Sequence, residues 1–229
     1  MGDEGKATMD ANCRTVIALL NQWWVFFICV LFVLPASAQQ YNFNIGAGPG
    51  FPLARTSDFA GTSYNFVAGG GPNLLPHLKM NAEFMFQGLP IHQSIIDQIG
   101  VSKVKGRLYS LTVNLMVGAS LGVSKSGYLI GGGGWYRRTV EAQQTVLQAG
   151  EKCEPIWVWW NVQCVNGIFP TDVTIGSSTS SASGFNIGGG LTFALGESSA
   201  NFFAEVRYHR AFTRNMDTVV LPVTFGLRW

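Results

Sequence analysis

Five charged residues stand where they could face one another: Lys79, Glu83, Glu205, Arg207 and Arg228. Each lies in a segment of alternating apolar and polar residues, and each falls in the polar set. Carboxylates and guanidiniums gathered in a dry space can pass ions along, or can neutralise one another. Buried singly, any of them is costly. The pattern therefore predicts that Glu83 and Glu205 meet Arg207, Arg228 or Lys79. One reading of such a cluster is a gated ion path and the other a structural plug; in a narrow enclosure the plug is favoured.

The remaining groups with chemical potential are fewer. The histidines are His77, His92 and His209. Hydrolysis needs a nucleophile, a base and an orienting group in mutual reach. His209 lacks the His-x-Ser-Asn pattern of lipid A deacylases, so the chain reads as non-enzymatic, with action on a lipid as a remote alternative. Gly46, Gly48 and Gly50 superficially match a dinucleotide loop, but no strand-helix-strand unit surrounds them. No cofactor is implied. Cys153 and Cys164 are separated by ten residues in the longest link of the chain. With no histidine beside them they suit a disulfide better than a metal. Between them lie Trp157, Trp159 and Trp160, which can grip an extracellular ligand or fold back on a membrane rim. Gly176–Gly184 (GSSTSSASG) has the composition of a flexible linker.

The elements that must position these residues are strands. Successive strand side chains point to opposite faces, and eight segments obey that period: Tyr41–Phe51, Ser63–Gly71, His77–Gly88, Arg107–Ala119, the glycine-rich Gly127–Arg137, Ser183–Leu195, Asn201–Phe212 and Thr218–Trp229. In the third, Leu78, Met80, Ala82, Phe84 and Phe86 oppose Lys79, Asn81, Glu83 and Gln87. No helical period is visible. The links alternate in length. Pro72–Pro76, Ser120–Ser126 and Gly196–Ala200 are tight; Pro52–Thr62, Leu89–Gly106 and Arg138–Ala182 are longer, and Thr213–Asp217 is short. This is the turn-and-loop asymmetry of an all-β, eight-stranded, antiparallel, up-and-down transmembrane β-barrel. Eight strands leave an interior just wide enough for side chains to fill. A soluble lipocalin-like barrel, with its apolar residues turned inwards, is the rival fold.

Composition agrees. Charged residues are 12% of the chain and aromatics 13%, with 28 glycines. Beyond residue 34 no stretch approaches the roughly 18 apolar residues of a membrane helix. Residues 1–38 read as a secretory signal, with Lys6 and Arg14 leading, an apolar run over Val16–Leu34, and the cleavage site Ala36-Ser37-Ala38. The alternative is an anchor helix, but Asn21 and Gln22 interrupt it. Cys29 follows bulky Phe27 and Ile28, which argues against a lipid-modified cysteine, and Met9 is an alternative start. Residues 39–229 then form the barrel domain. Removing 1–38 leaves 13 basic and 10 acidic residues, too mild a surplus for a nucleic-acid partner.

The last twelve residues place Val219, Leu221, Val223, Phe225, Leu227 and Trp229 on one face and end on an aromatic. With Phe203–Phe212 (FAEVRYHRAF), this segment resembles the last hairpin of the small OmpA-like outer-membrane barrel family. The resemblance implies an outer-membrane location, contact with outer-membrane lipid, and Phe225, Leu227 and Trp229 as a terminal signal for the barrel assembly machinery. It implies a structural or surface-interaction role, with a narrow passive pore as the alternative.

Overall fold

The computed structural model describes residues 41–122, 124–155, 162–196 and 199–229. The expected leader and Trp157, Trp159 and Trp160 lie outside the described residues. Eight strands form the ring: β1 Tyr41–Pro52, β2 Ser63–Leu75, β3 Leu78–Pro90, β4 Lys103–Ser120, β5 Lys125–Pro155, β6 Val162–Ala194, β7 Asn201–Ala211 and β8 Thr218–Arg228. Each pairs antiparallel with the next, and β1 pairs with β8, so the sheet closes into a barrel without a free edge. Register follows the alternation. On β4, Leu111, Val113, Leu115 and Val117 face outwards, while Ser110, Thr112, Asn114 and Met116 are buried inside. Polar residues enclosed and apolar ones on the wall is the reverse of a lipocalin-like core. Among the described residues no helix is long and apolar enough to cross a membrane.

Two belts of aromatic residues flank the apolar wall. At the end holding Tyr41 and Trp229, Phe43 lies near Trp229 at 6.3 Å and Phe193 near Phe202 at 6.4 Å. At the opposite end, Tyr64, Phe86 and Tyr109 form a chain with centroids 5.8 and 5.3 Å apart. Such girdles mark the two interfaces of a bilayer-spanning barrel.

Three expectations are corrected. First, Arg138–Ala182 is not a loop. β5 and β6 continue as 31- and 33-residue strands, paired from Lys125↔Phe193 to Pro155↔Val162. Beyond Lys103↔Gln143, where β4 ends, the two strands run on alone as a ribbon. The expected linker 176–184 is part of β6. Sequence alternation fails here for a physical reason: a ribbon with water on both sides has no greasy face to advertise. Thr145 and Asp172, opposite one another with the hydroxyl donating to the carboxylate at 2.8 Å, are typical of its cross-strand pairs. Second, the link after β3 contains a helix, α1, Gln93–Ile99, closed by Gly100 at φ 73°. Left-handed backbone at the end of a helix is the position glycine fills at least cost. Third, β2 runs through Pro72 to Leu75, so the turn to β3 is only Pro76 and His77.

Candidate functional site

The lumen gathers four of the five predicted charges. β3 supplies Glu83, β7 supplies Glu205 and Arg207, and β8 supplies Arg228, each nearly inaccessible. Arg207 sits at the centre. Its Nη1 donates to Glu83 Oε1 at 2.6 Å, and its Nε donates to Glu205 Oε1 at 2.7 Å. Glu205 and Arg207 can share this space because they are two apart on one strand and so face the same side. Asn44 and Asn81 donate to Glu83 Oε2 at 3.0 and 3.3 Å. The Tyr128 hydroxyl donates to Glu205 Oε2 at 2.8 Å. Two carboxylates and two guanidiniums leave the group formally neutral, the condition under which buried charges are tolerable.

Arg228 is held differently. Its Nη2 lies 3.6 Å from Glu205 Oε2, while its guanidinium carbon stands 4.6 Å over the Tyr128 ring and 4.7 Å over the Phe203 ring. Guanidinium over ring faces is an attractive cation–π arrangement, stronger when water is excluded. Lys79 does not join the carboxylates. It faces a vestibule of about 330 Å³ at the terminus-bearing end, beside His77, Met116 and Arg228. The network is already neutral without it, and Lys79 is left half-buried at the edge of the lumen.

The lumen is also less polar than the alternation implies. Phe203, Met85, Leu108, Tyr136 and Val220 are fully buried in one apolar cluster. Phe202 and Phe203 are adjacent aromatics, and sequence alone assigns the wall to the first without revealing that the second fills the interior. Tyr136 bonds His209 Nδ1 across 3.0 Å, which places that histidine inside the barrel against a phenol. Asn44, Asn81, Tyr128 and Phe203 were not singled out by the sequence; the first two carried a signal, since each sits in the polar set of its strand.

Outside the wall, Cys153 and Cys164 face each other across the ribbon with Cα atoms 4.0 Å apart and are joined as a disulfide. The Glu151 carboxylate is close by, but sulfurs bound to each other are not thiolate ligands for a metal. On β8, Phe225 and Leu227 point outwards, and Trp229 continues the pairing through its N–H to the Phe43 carbonyl at 3.0 Å.

A closed ring of eight strands, apolar outside, girdled by aromatics and filled with neutralised charge, defines a small outer-membrane-type β-barrel. The solved structure of Neisserial surface protein A shares this architecture, and two further structures are similar with lower scores. Neisserial surface protein A aligns with TM-score 0.52 at 11% identity, over 82% of this chain and 95% of that one. A major outer membrane protein from Thermus thermophilus aligns with TM-score 0.47 at 10% identity, over 83% and 99%. Ail, the attachment invasion locus protein of Yersinia pestis, aligns with TM-score 0.45 at 12% identity, also over 83% and 99%. No protein-family model matches the sequence, and no curated protein sequence matches it at a significant level.

Proposed function

We propose that this protein is a non-conducting outer-membrane barrel whose role is to hold a surface-exposed hairpin and its neighbouring loops in position for an external ligand. The observation that carries the reading is the Arg207 bridge. Glu83 on β3 and Arg207 on β7 belong to opposite sides of the ring, and their contact spans the lumen. Phe203 and Tyr136 add two rings to the same obstruction. A path for ions would need this bridge to open, stranding charges in a dry space.

The outward direction follows from the resemblance in layout: Tyr41, Trp229 and the tight turns share one end, so the ribbon projects from the other. A leader ending at Ala38 is removed on export, and Phe225, Leu227 and Trp229 on the closing strand present the signal read by the assembly machinery. Catalysis is not part of this reading; His209 is committed to Tyr136 rather than to a nucleophile.

Purified protein reconstituted in planar bilayers tests the central point. The plugged form gives no steady conductance, whereas discrete, long-lived openings would replace this reading with the narrow pore. Labelling of the β5–β6 ribbon in intact cells tests its exposure.

A further inference from the structure

The outer mouth contains a cleft that neither the plug nor the ribbon explains. It measures about 240 Å³ and lies between α1 and the inward-facing side of the strands where they leave the barrel. Its floor and roof are apolar: Ile91, Ile95 and Ile99 on the β3–α1 side, and Val104 on β4. Val104 and Ile96 are buried, yet Ile99 remains 58% exposed at the lip. A branched apolar side chain held at the edge of an apolar cleft suits a guest that is itself apolar.

One cation interrupts this lining. Arg138 on β5 reaches into the cleft, and Ser180 lies directly opposite it on β6, so guanidinium and hydroxyl share one side of the ribbon's base. Among the described residues the Arg138 side chain has a single hydrogen bond, from Nη1 to Thr218 Oγ1 at 2.9 Å. No described carboxylate pairs with Arg138: Asp58, on the turn Ala54–Asp58 beside the cleft, is exposed and makes no ion pair with it, and the other acidic groups of the mouth are committed elsewhere. Asp217 accepts from Arg210 at 2.6 Å, Glu141 pairs with Arg107 at 3.9 Å, and Asp97 accepts from Gln93 at 2.8 Å. Half-burial without an anion pulls the Arg138 guanidinium below its usual pKa, the direction expected of a charge that lacks its counterpart.

We propose that this cleft binds a single-chain fatty carboxylate, its head on Arg138 and Ser180 and its chain among Ile91, Ile95 and Ile99. One arginine balances one negative charge, and its planar fork matches a carboxylate. A phosphate monoester, which carries close to two charges near neutral pH, would call for a second cation that the cleft does not supply. The assignment deepens the surface-binding role proposed above by naming the chemistry of one ligand. It is tested separately from conductance and from exposure on cells, so its failure would leave both of those untouched.

The test uses full-length folded protein in lipid nanodiscs with isoleucine δ-methyls labelled, titrated with dodecanoate. The Ile91, Ile95 and Ile99 methyls shift saturably, while Ile45 and Ile187 on the lipid-facing wall do not. Arg138→Gln, checked for folded gel migration, weakens the binding at least tenfold. If that variant does not fold, Ser180→Asp sets a carboxylate beside the guanidinium and must weaken binding comparably. Equal shifts with dodecylamine or dodecyl maltoside would reduce the site to an apolar groove and overturn the proposal. So would unchanged affinity in Arg138→Gln, or tighter binding of dodecyl phosphate than of dodecanoate.

Discussion

The ring of Phe203 occupies the space where Gly46 has no side chain: a Cβ added at Gly46 would lie 2.9 Å from Phe203 Cζ. The same Cβ would meet the Thr224 methyl at 2.8 Å. This glycine therefore makes room for the plug from the neighbouring wall. Other inward-facing glycines are crowded first by the neighbouring strand and then by the plug: a Cβ at Gly188 would meet the Val206 carbonyl as well as Arg207 Cγ at 2.8 Å, and one at Gly184 the Arg210 carbonyl as well as the Tyr136 ring at 2.8 Å. Overpacking a filled interior typically costs about 1–3 kcal/mol. Gly46→Ala is expected to lower stability by that amount in urea titrations of vesicle-inserted protein. Combining it with Phe203→Leu should recover part of the loss; an unchanged midpoint in Gly46→Ala would mean the ring is not seated there.

Arg207 neutralises two carboxylates at once, so its loss and the loss of one partner are not equivalent. Arg207→Ala leaves Glu83 and Glu205 facing each other in a dry lumen, the kind of change that costs about 3–5 kcal/mol. Glu83→Gln keeps an acceptor for the amides of Asn44 and Asn81 while removing one charge. It should cost clearly less. Equilibrium unfolding in detergent ranks the two, and an Arg207→Ala protein as stable as Glu83→Gln would show that the bridge is not what holds the lumen closed.

The wall of this barrel could be read from residues such as Val113 and Leu115, because lipid on one side and a crowded lumen on the other impose a strict period of two. Where that asymmetry ends, legibility ends with it. The ribbon of β5 and β6 beyond Gln143 has water on both faces, so Leu147 and Val146 point to opposite sides and both are exposed. α1 has only seven residues, too few for a 3.6-residue period to emerge from Ile95, Ile96 and Ile99. The charge cluster was legible as a set, since Glu83, Glu205, Arg207 and Arg228 all fall on inward positions. Which member would stand apart was not. Lys79 and Arg228 border the same vestibule but stand at different heights along the barrel, and strand register is what fixes height.

The same asymmetry predicts the response of the wall to charge. Val113 is 56% exposed on the outer face of β4, opposite Gly133 of β5. Val113→Arg places a guanidinium against acyl chains, which costs about 2–4 kcal/mol near the bilayer midplane. Folding yield into lipid vesicles, followed by gel migration, should fall sharply. Val113→Leu serves as the control and should fold as the parent does. Efficient insertion of the arginine variant would mean that the apolar side chains do not face lipid.

Finally, the disulfide should act on the ribbon and leave the barrel unaffected. Cys153 and Cys164 pair far along the ribbon from Gln143 and Thr174, the register pair at which β4 ceases to support β5. A two-stranded ribbon without a third strand is marginally stable in water, so a covalent link near its far end contributes most of what holds the two strands together. Closing a loop of this size is worth up to about 3 kcal/mol in the chain-entropy account. The barrel is anchored instead by its closed hydrogen-bond ring and by the Arg207 bridge, neither of which touches the cystine. Cys153→Ser with Cys164→Ser is therefore expected to leave the urea midpoint of the barrel unchanged. Proteolysis between residues 144 and 173 should accelerate at least tenfold, and amide exchange there should lose its protection. A barrel that melts earlier in the double variant would show that ribbon and wall fold as one unit; unaltered proteolysis would show that the ribbon holds together without its staple.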